Sequence, residues 1–309
     1  MTVLPKVLAG AMVWVASAAV ALAQMGAISD ICDDCVLEKF ANCGESKFIE
    51  GPNFDAAGNL WIVGLRSGEI FKVTPDGECT VAGSTGGFPG GARFDAEGKL
   101  LISDRIGLLS YDTETGAIAS VKSRMGTENL RGLNDVVIDK EGGIYFTEPN
   151  GSSILRPDGR VFYQSPDLTT ELQVIGDSFA FPNGVLLNND QNVLYIAEYA
   201  ANRILAVPLS GPGQVNVGST PYVFAYMTGG IGPDGMLTDS AGNIYAAHFR
   251  AGEVVVYNAS GFPYGAIRMP TGESQLTTNI AIHENFLYVT ESGKNDIWRV
   301  KLKMPGTDK

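Results

Sequence analysis

Histidine is almost missing from this chain of 309 residues, which has two, His248 and His283. That scarcity leaves few bases for a Ser-His-Asp triad, and no G-x-S-x-G elbow is present to carry the nucleophile. Cysteine is scarce as well: Cys32, Cys35, Cys43 and Cys79. Cys32-Asp-Asp-Cys35 has the spacing of a metal or redox pair, but there is no second pair of that spacing and no nearby histidine to complete a zinc set. Basic residues are the minority, 22 Lys and Arg against 34 Asp and Glu, for a net charge of −12. A balance of that sign gives no footprint for nucleic acid or an anionic membrane and favours cations. No G-x-x-x-x-G-K-[ST] phosphate loop occurs, and beyond the first residues no apolar run is long enough to cross a bilayer.

The apolar run that does exist is at the start. Lys6 precedes an uncharged stretch from Val7 to Leu22, and Ala21-Leu22-Ala23 has the small-x-small pattern of a signal-peptidase site. Residues 1–23 are therefore expected to be a cleaved signal peptide, and the protein to be secreted or periplasmic with no membrane attachment after cleavage. Four cysteines in such a compartment point to disulfides, for which three pairings are open. Three of the four fall in residues 24–49, which reads as an N-terminal arm held by disulfides. Asn150-Gly-Ser and Asn258-Ala-Ser match glycosylation sequons, a signal that depends on the host.

What is abundant is glycine, 38 residues, spread between short apolar runs. One unit recurs, an acidic turn followed by an apolar strand: DAAGNLWIV from Asp55, DAEGKLLIS from Asp95, DKEGGIYFT from Asp139 and DSAGNIYAA from Asp239. NDQNVLYIA from Asn189 and HENFLYVTE from His283 are looser copies. Copies spaced roughly 40–50 residues apart, each with flanking strands, match propeller blades of four strands. Six copies predict an all-β, six-bladed β-propeller over residues 50–309. The last copy lacks a fourth strand, so the N-terminal arm is predicted to supply it and close the ring, which removes exposed sheet edges.

Aligning the copies brings out a ring of polar residues. Eleven residues before the core residue of each second strand stand Glu50, Gly90, Asn134, Asp234 and Thr277. In the fourth copy, whose turn is one residue longer, the position is Asn183. This phase starts the innermost strand, at the central channel. Glu50, Asn134, Asn183 and Asp234 form a hard-oxygen set suited to one divalent cation, Ca²⁺ first, with Mg²⁺, Mn²⁺ or Zn²⁺ as alternatives. Three residues beyond each core residue, a second ring holds Asp104, Glu148, Glu198, His248 and Glu291. With Arg66, Arg105 and Arg250 in the adjoining loops, these are expected to shape a substrate pocket at the same mouth.

These residues resemble the senescence-marker protein, gluconolactonase and luciferin-regenerating enzyme family. The matching pieces are Glu50-Gly51-Pro52, Asn134-Asp135 in NDVVIDKEGGIYFTEP, Asn183-Gly184 and Pro233-Asp234-Gly235. The resemblance implies a six-bladed propeller with a divalent ion held by Glu50, Asn183 and Asp234, and Asn134 approaching the metal or the substrate. It implies hydrolysis of lactones, with phosphotriesters as substrates of some relatives. Glu148 stands where many bacterial relatives have Asp, and Arg131 is three residues before Asn134 rather than two. Glu45 in Cys43-Gly44-Glu45-Ser46 resembles the animal ligand motif but falls five residues out of phase. The expected activity is hydrolysis of a lactone or related ester of a small molecule. The metal polarises the carbonyl, Asp234 takes a proton from water, and Asn134 orients water or substrate. The alternatives are a non-enzymatic propeller whose metal plugs the channel, and a strictosidine-synthase-like condensing enzyme.

Overall fold

The acidic turns of the repeat are built by a single piece of local chemistry. In a computed structural model that describes residues 26–307, Asp55, Asp95, Asp139 and Asp239 each accept the N–H groups two and four residues further on, at 2.6–3.1 Å. The residue three places after each aspartate is Gly58, Gly98, Gly142 or Gly242, with φ between +79° and +90°. A short acidic side chain that mimics a backbone acceptor, together with a glycine free to turn left-handed, makes this tight turn at low cost. In two copies the aspartate also receives the core aromatic: Trp61 Nε1 donates to Asp55 at 2.8 Å and the Tyr245 hydroxyl to Asp239 at 3.0 Å.

Each turn joins the inner two strands of one blade. The inner strands are Ile49–Phe54, Pro89–Phe94, Val136–Ile138, Pro182–Leu187, Gly232–Thr238 and Thr277–His283. Every one pairs antiparallel with the strand that follows it. Third and fourth strands complete six sheets, and six apolar cores form, one between each pair of neighbouring blades. The sixth sheet takes its outer strand from the arm. Glu38–Asn42 pairs antiparallel with Asp296–Lys301, reinforced by ion pairs Arg299–Glu38 and Lys39–Asp296. The ring thus closes as the missing fourth strand predicts. Residues 1–23, read as a signal peptide, lie outside the described residues.

Two disulfides settle the open pairing. Cys32–Cys35 clips a tight loop of the arm against the apolar layer between the fifth and sixth blades. Cys43–Cys79 joins the arm, just after its strand, to the outer strand Cys79–Ser84 of the first blade. A covalent tie therefore spans the seam where the first and last blades meet. Its sequence separation of 36 residues corresponds to about 3–4 kcal/mol of loop-closure entropy removed from the unfolded chain.

Replacing Cys43 and Cys79 together by alanine should lower the unfolding free energy by about 3 kcal/mol. The pair Cys32→Ala with Cys35→Ala should cost less, because it closes a loop of separation 3. Urea unfolding of both variants checks the order; equal losses would contradict the seam argument.

Candidate functional site

The inner strands do not run straight to the mouth. In five blades the ladder slips near the strand start, between Glu50 and Asn53, Pro89 and Ala92, Pro182 and Val185, Pro233 and Met236, and Thr277 and Asn279. A bulge leaves residues out of the ladder and re-aims their side chains. Gly90, Asn183 and Asp234 occupy these bulges, and Glu50, paired with Val63, stands at the edge of its own. Asn134 takes the matching place in the third blade, its N–H donating to the Thr147 carbonyl at 3.0 Å. In the sixth blade the position is Thr278, not the Thr277 expected. The cause is a shorter hairpin: Ala281 faces Tyr288, seven residues apart, whereas Leu237 faces Tyr245, eight apart.

The residue after each bulge position is glycine in four blades, because the next blade comes too close for a side chain. A Cβ on Gly51 would lie 2.6 Å from the Gly90 carbonyl oxygen, and one on Gly184 2.2 Å from that of Asp234. One on Gly235 would meet Asn279 Oδ1 at 2.0 Å. Hydroxyls then pin the strand starts. Ser103 donates to the Asn134 carbonyl at 2.5 Å and Thr147 to that of Asn183 at 2.7 Å, while Thr278 and Ser292 converge on Ile49 at 2.8 and 2.6 Å.

The third blade carries Asp135 where four of the others have glycine and the sixth has Asn279, a signal open to inspection in the sequence that the motif reading passed over. Asp135 is buried. Its Oδ2 accepts the Val185 N–H at 3.2 Å, and its Oδ1 has no partner. Burial raises its pKa, opposed by the Arg93 charge and by the backbone N–H groups of Val136 and Val185.

Glu50, Asn183 and Asp234 are all buried, at 8%, 5% and 5% exposure, and Asn134 is half-buried beside them in phase. Burial pushes the Glu50 carboxyl well above its ordinary range, followed by the charges of Asp234 and Asp135, against bonds from Asn279 and the Gly51 N–H. Asp234 is raised in the same way, by burial and then by Asp135, with Asn183 pulling against the shift. Neither Glu50 nor Asp234 has an ion-pair partner among the described residues. Two mutually repelling buried carboxylates with amide oxygens beside them fit a hard divalent cation, which brings the missing charge and accepts this donor set. No group of three or more His, Cys, Asp and Glu placed to hold a metal occurs among the described residues. The centre therefore depends on the asparagine oxygens.

The second ring does not form the substrate pocket expected of it. Asp104, Glu148, Glu198, His248 and Glu291 are all at 0–1% exposure. Asp104 accepts the N–H groups of Phe88 and Ile106 and the Thr85 hydroxyl. Glu148 receives the Arg131 N–H and pairs with Arg160. Glu198 receives the Ala180 N–H and pairs with Arg203, while Glu291 holds the N–H groups of Gly293 and Lys294. His248 Nδ1 lies 3.3 Å from Glu253. Strand-end carboxylates here clamp the loops around the mouth. Arg105 remains exposed, its guanidinium 5.4 Å from the Phe88 ring centroid.

The same mouth holds residues that the sequence did not single out. Tyr199 follows the second strand of the fourth blade. Its phenol is pushed up to about 12, by burial first and then by the Asp234 charge, with a smaller contribution from Glu50. Phe48 and Phe181, each two residues before a bulge position, take φ +55° and +60°. For residues with a Cβ this costs about 1 kcal/mol or more each, and such strain gathers at functional sites. Below the bulges, toward the acidic turns, the channel widens into a cavity of about 890 Å³ whose inner walls include Val137, Leu186, Leu237 and Ala281. Its outer lining carries charged side chains such as Arg93, Lys99 and Lys140, and the centre of carboxylates and amides sits at the other end.

A six-bladed propeller with an acidic, oxygen-rich centre at one end of its channel is the class of protein that fold and site define. The chain belongs to the SMP-30/gluconolactonase/LRE-like family, matched over residues 48–293. It is 33% identical over 230 residues to the lactonase drp35 of Staphylococcus haemolyticus (strain JCSC1435), covering 72% of this chain and 70% of that one. It is also 33% identical over 234 residues to the lactonase drp35 of Staphylococcus aureus (strain MRSA252), with the same shares. Among solved structures, a gluconolactonase of Xanthomonas campestris superposes with a TM-score of 0.76 at 20% identity, over 89% of this chain and 92% of that one. A calcium-binding regucalcin of Agrobacterium tumefaciens gives 0.71 at 20%, over 87% and 97%.

The raised carboxyls have a signed consequence for stability. A carboxyl whose folded pKa exceeds its unfolded value stabilises the fold fully below the unfolded value, and that contribution disappears as pH rises through the folded one. The share of the metal-free protein's stability owed to Glu50 and Asp234 should therefore fall as pH climbs from acid through their raised values, and a divalent cation bound between them should offset that loss. Thermal melts at stepped pH in chelator and in calcium should show a gap that widens with pH. A gap of constant size would take Glu50 and Asp234 out of the ion's site.

Proposed function

We propose that this chain is a divalent-cation-dependent lactonase, which opens the cyclic ester of a small molecule with water to give the hydroxy acid. The observation that carries the reading is the burial of Glu50 and Asp234 beside Asn183 at the channel mouth with no basic partner. The lactonases and the calcium-binding propeller among its relatives support it.

Glu50, Asn183 and Asp234 would hold the ion, with Asn134 completing the set from the rim, and calcium suits four such oxygens. Bound there, the ion supplies Lewis acidity toward an ester carbonyl. The protein's own contribution is positional. The glycine contacts and the Ser103 and Thr147 hydroxyls fix the backbone of Asn134, Asn183 and Asp234, so that little reorganisation accompanies reaction. Asp234 takes a proton from the attacking water at a carboxylate oxygen as the water oxygen bonds to the carbonyl carbon; the bond from that carbon to the ring oxygen then breaks, and the proton returns from Asp234 to the ring oxygen, which leaves as the hydroxyl. The half-buried Asn134 presents an amide to water or substrate. We also propose that the protein acts outside the cytoplasm, on the strength of the apolar stretch ending at Ala23 and of two disulfides that suit an oxidising compartment.

Asp234→Asn should lower kcat by about a hundredfold or more while the circular dichroism spectrum stays unchanged. Chelation of the wild type should abolish hydrolysis and added calcium restore it. Calcium titration calorimetry on Glu50→Gln should show lost binding. Full activity in chelator would defeat the metal-dependent reading, and near-normal turnover by Asp234→Asn would remove that residue from the chemistry.

A further inference from the structure

The rim above the carboxylates carries a run of aromatic rings with guanidinium groups beside them. Phe181 and Tyr199 of the fourth blade have centroids 5.3 Å apart, Tyr199 and Phe249 of the fifth 5.9 Å, and Phe249 and Phe48 of the first 6.2 Å. The last contact skips the sixth blade. For rings on the fifth and first blades to touch, both must lean in over the mouth, and the arc then spans half the ring. Phe48 and Phe181 are each two residues from an acidic or amide side chain of the centre, and the Tyr199 phenol senses Asp234 and Glu50. Exposed arginines stand on the same rim. The Arg66 guanidinium sits 4.8 Å from the Phe48 centroid, and Arg250, next to Phe249, interacts with Tyr199.

The charge on this rim runs against that of the protein. Of the other arginines, Arg156 pairs with Asp158, Arg160 with Glu148 and Glu128, Arg203 with Glu198, Arg268 with Glu253 and Arg299 with Glu38, while Arg93 and Arg124 bond backbone carbonyls. Arg66, Arg105 and Arg250 have no ion-pair partner among the described residues. Three carboxylates beside the rim have their own cations, Glu69 with Lys47, Glu253 with Arg268 and Glu273 with Lys294, and Asp104 and Glu291 are turned onto loop N–H groups. Arg66, Arg105 and Arg250 are therefore left without a carboxylate at the mouth of an acidic protein.

From the aromatic arc and the unpaired arginines we infer that the site selects lactones carrying a flat apolar ring system and a negatively charged substituent, in preference to polyhydroxylated lactones. This rests on the lactonase reading above. A ring stacks on faces that offer no partners for several hydroxyls, and burying unpartnered hydroxyls is unfavourable. An anionic group meets the guanidinium rim and gains in both encounter rate and affinity.

The test compares three substrates with the calcium-loaded protein: glucono-δ-lactone, a benzo-fused δ-lactone, and the same benzo-fused lactone with a ring carboxylate. The kcat/KM values should rise in that order, by roughly three- to tenfold per step. The advantage of the carboxylate should shrink at high ionic strength. Arg66→Gln with Arg250→Gln should remove that advantage through KM, and Phe181→Leu should raise KM for both benzo-fused lactones. Binding of a non-hydrolysable benzo-fused lactam carboxylate, followed by calorimetry, reads the mouth without turnover. Preference for glucono-δ-lactone, or a carboxylate that slows hydrolysis, overturns the inference. If no lactone is opened but the lactam carboxylate binds in an Arg66- and Arg250-dependent way, the lactonase reading fails and the mouth's selectivity stands. If neither occurs, both fall.

Discussion

Two carboxylates buried against each other at the centre of a ring of strands set the terms for the rest of this molecule. Desolvating each costs on the order of several kcal/mol, and their mutual repulsion adds to it. A fold survives this only if the surroundings hold the groups in place and something supplies opposite charge or protons. The propeller provides the first. Six strand starts approach so closely that four of the residues following the centre can only be glycine, and hydroxyls from neighbouring blades fix the carbonyls between them. Protons, or a cation held between the two groups, would provide the second.

The constraint reaches outward through the blades. A strand start held to a few tenths of an ångström needs the ring not to breathe, and a propeller is weakest where its two ends meet. Here that seam is crossed by the arm strand on the last blade, by Thr278 and Ser292 on the Ile49 carbonyl, by the Phe48 N–H on Asn295 and by the Cys43–Cys79 bond. Ile49 directly precedes Glu50, so the closure of the fold and the position of a central carboxylate are the same piece of backbone.

Much of this could be read from the residues because the repeat has a physical cause. An aspartate two and four residues from the amides it caps, with a left-handed glycine between, is a local device, and local devices leave fixed spacings. Blade count, the missing outer strand and the phase of Glu50, Asn134, Asn183 and Asp234 all follow from it. Where spacing slipped, the reading slipped: the sixth hairpin lacks the aspartate and is one residue shorter, which moved the central position from Thr277 to Thr278. The second ring was misjudged for a different reason. Whether Asp104 or Glu198 faces a mouth or a loop amide depends on where the loop travels, and loop paths are not periodic. Asp135 was legible as a departure from glycine. The aromatic arc was not, since Phe48 and Phe249 lie far apart in sequence and meet only after the ring has closed.

The loop clamps explain why the rim can carry strain and charge at all. A phenylalanine at positive φ relaxes if its loop is free to move, so Phe48 and Phe181 keep their conformation because neighbouring loops are tied down. Phe48 is fixed by its N–H on Asn295 at 2.8 Å, and Phe181 by its own on Ser152 at 2.9 Å. The same clamps withdraw the strand-end carboxylates from solvent and satisfy them with amides and the partners Arg160 and Arg203. That leaves Arg66, Arg105 and Arg250 with no carboxylate of their own at the rim. Three unpaired guanidinium groups around this mouth would draw an anionic small molecule to the entrance, as the carboxylates at the bottom would draw a cation. The field of an otherwise acidic surface narrows the approach of such a molecule to that one opening.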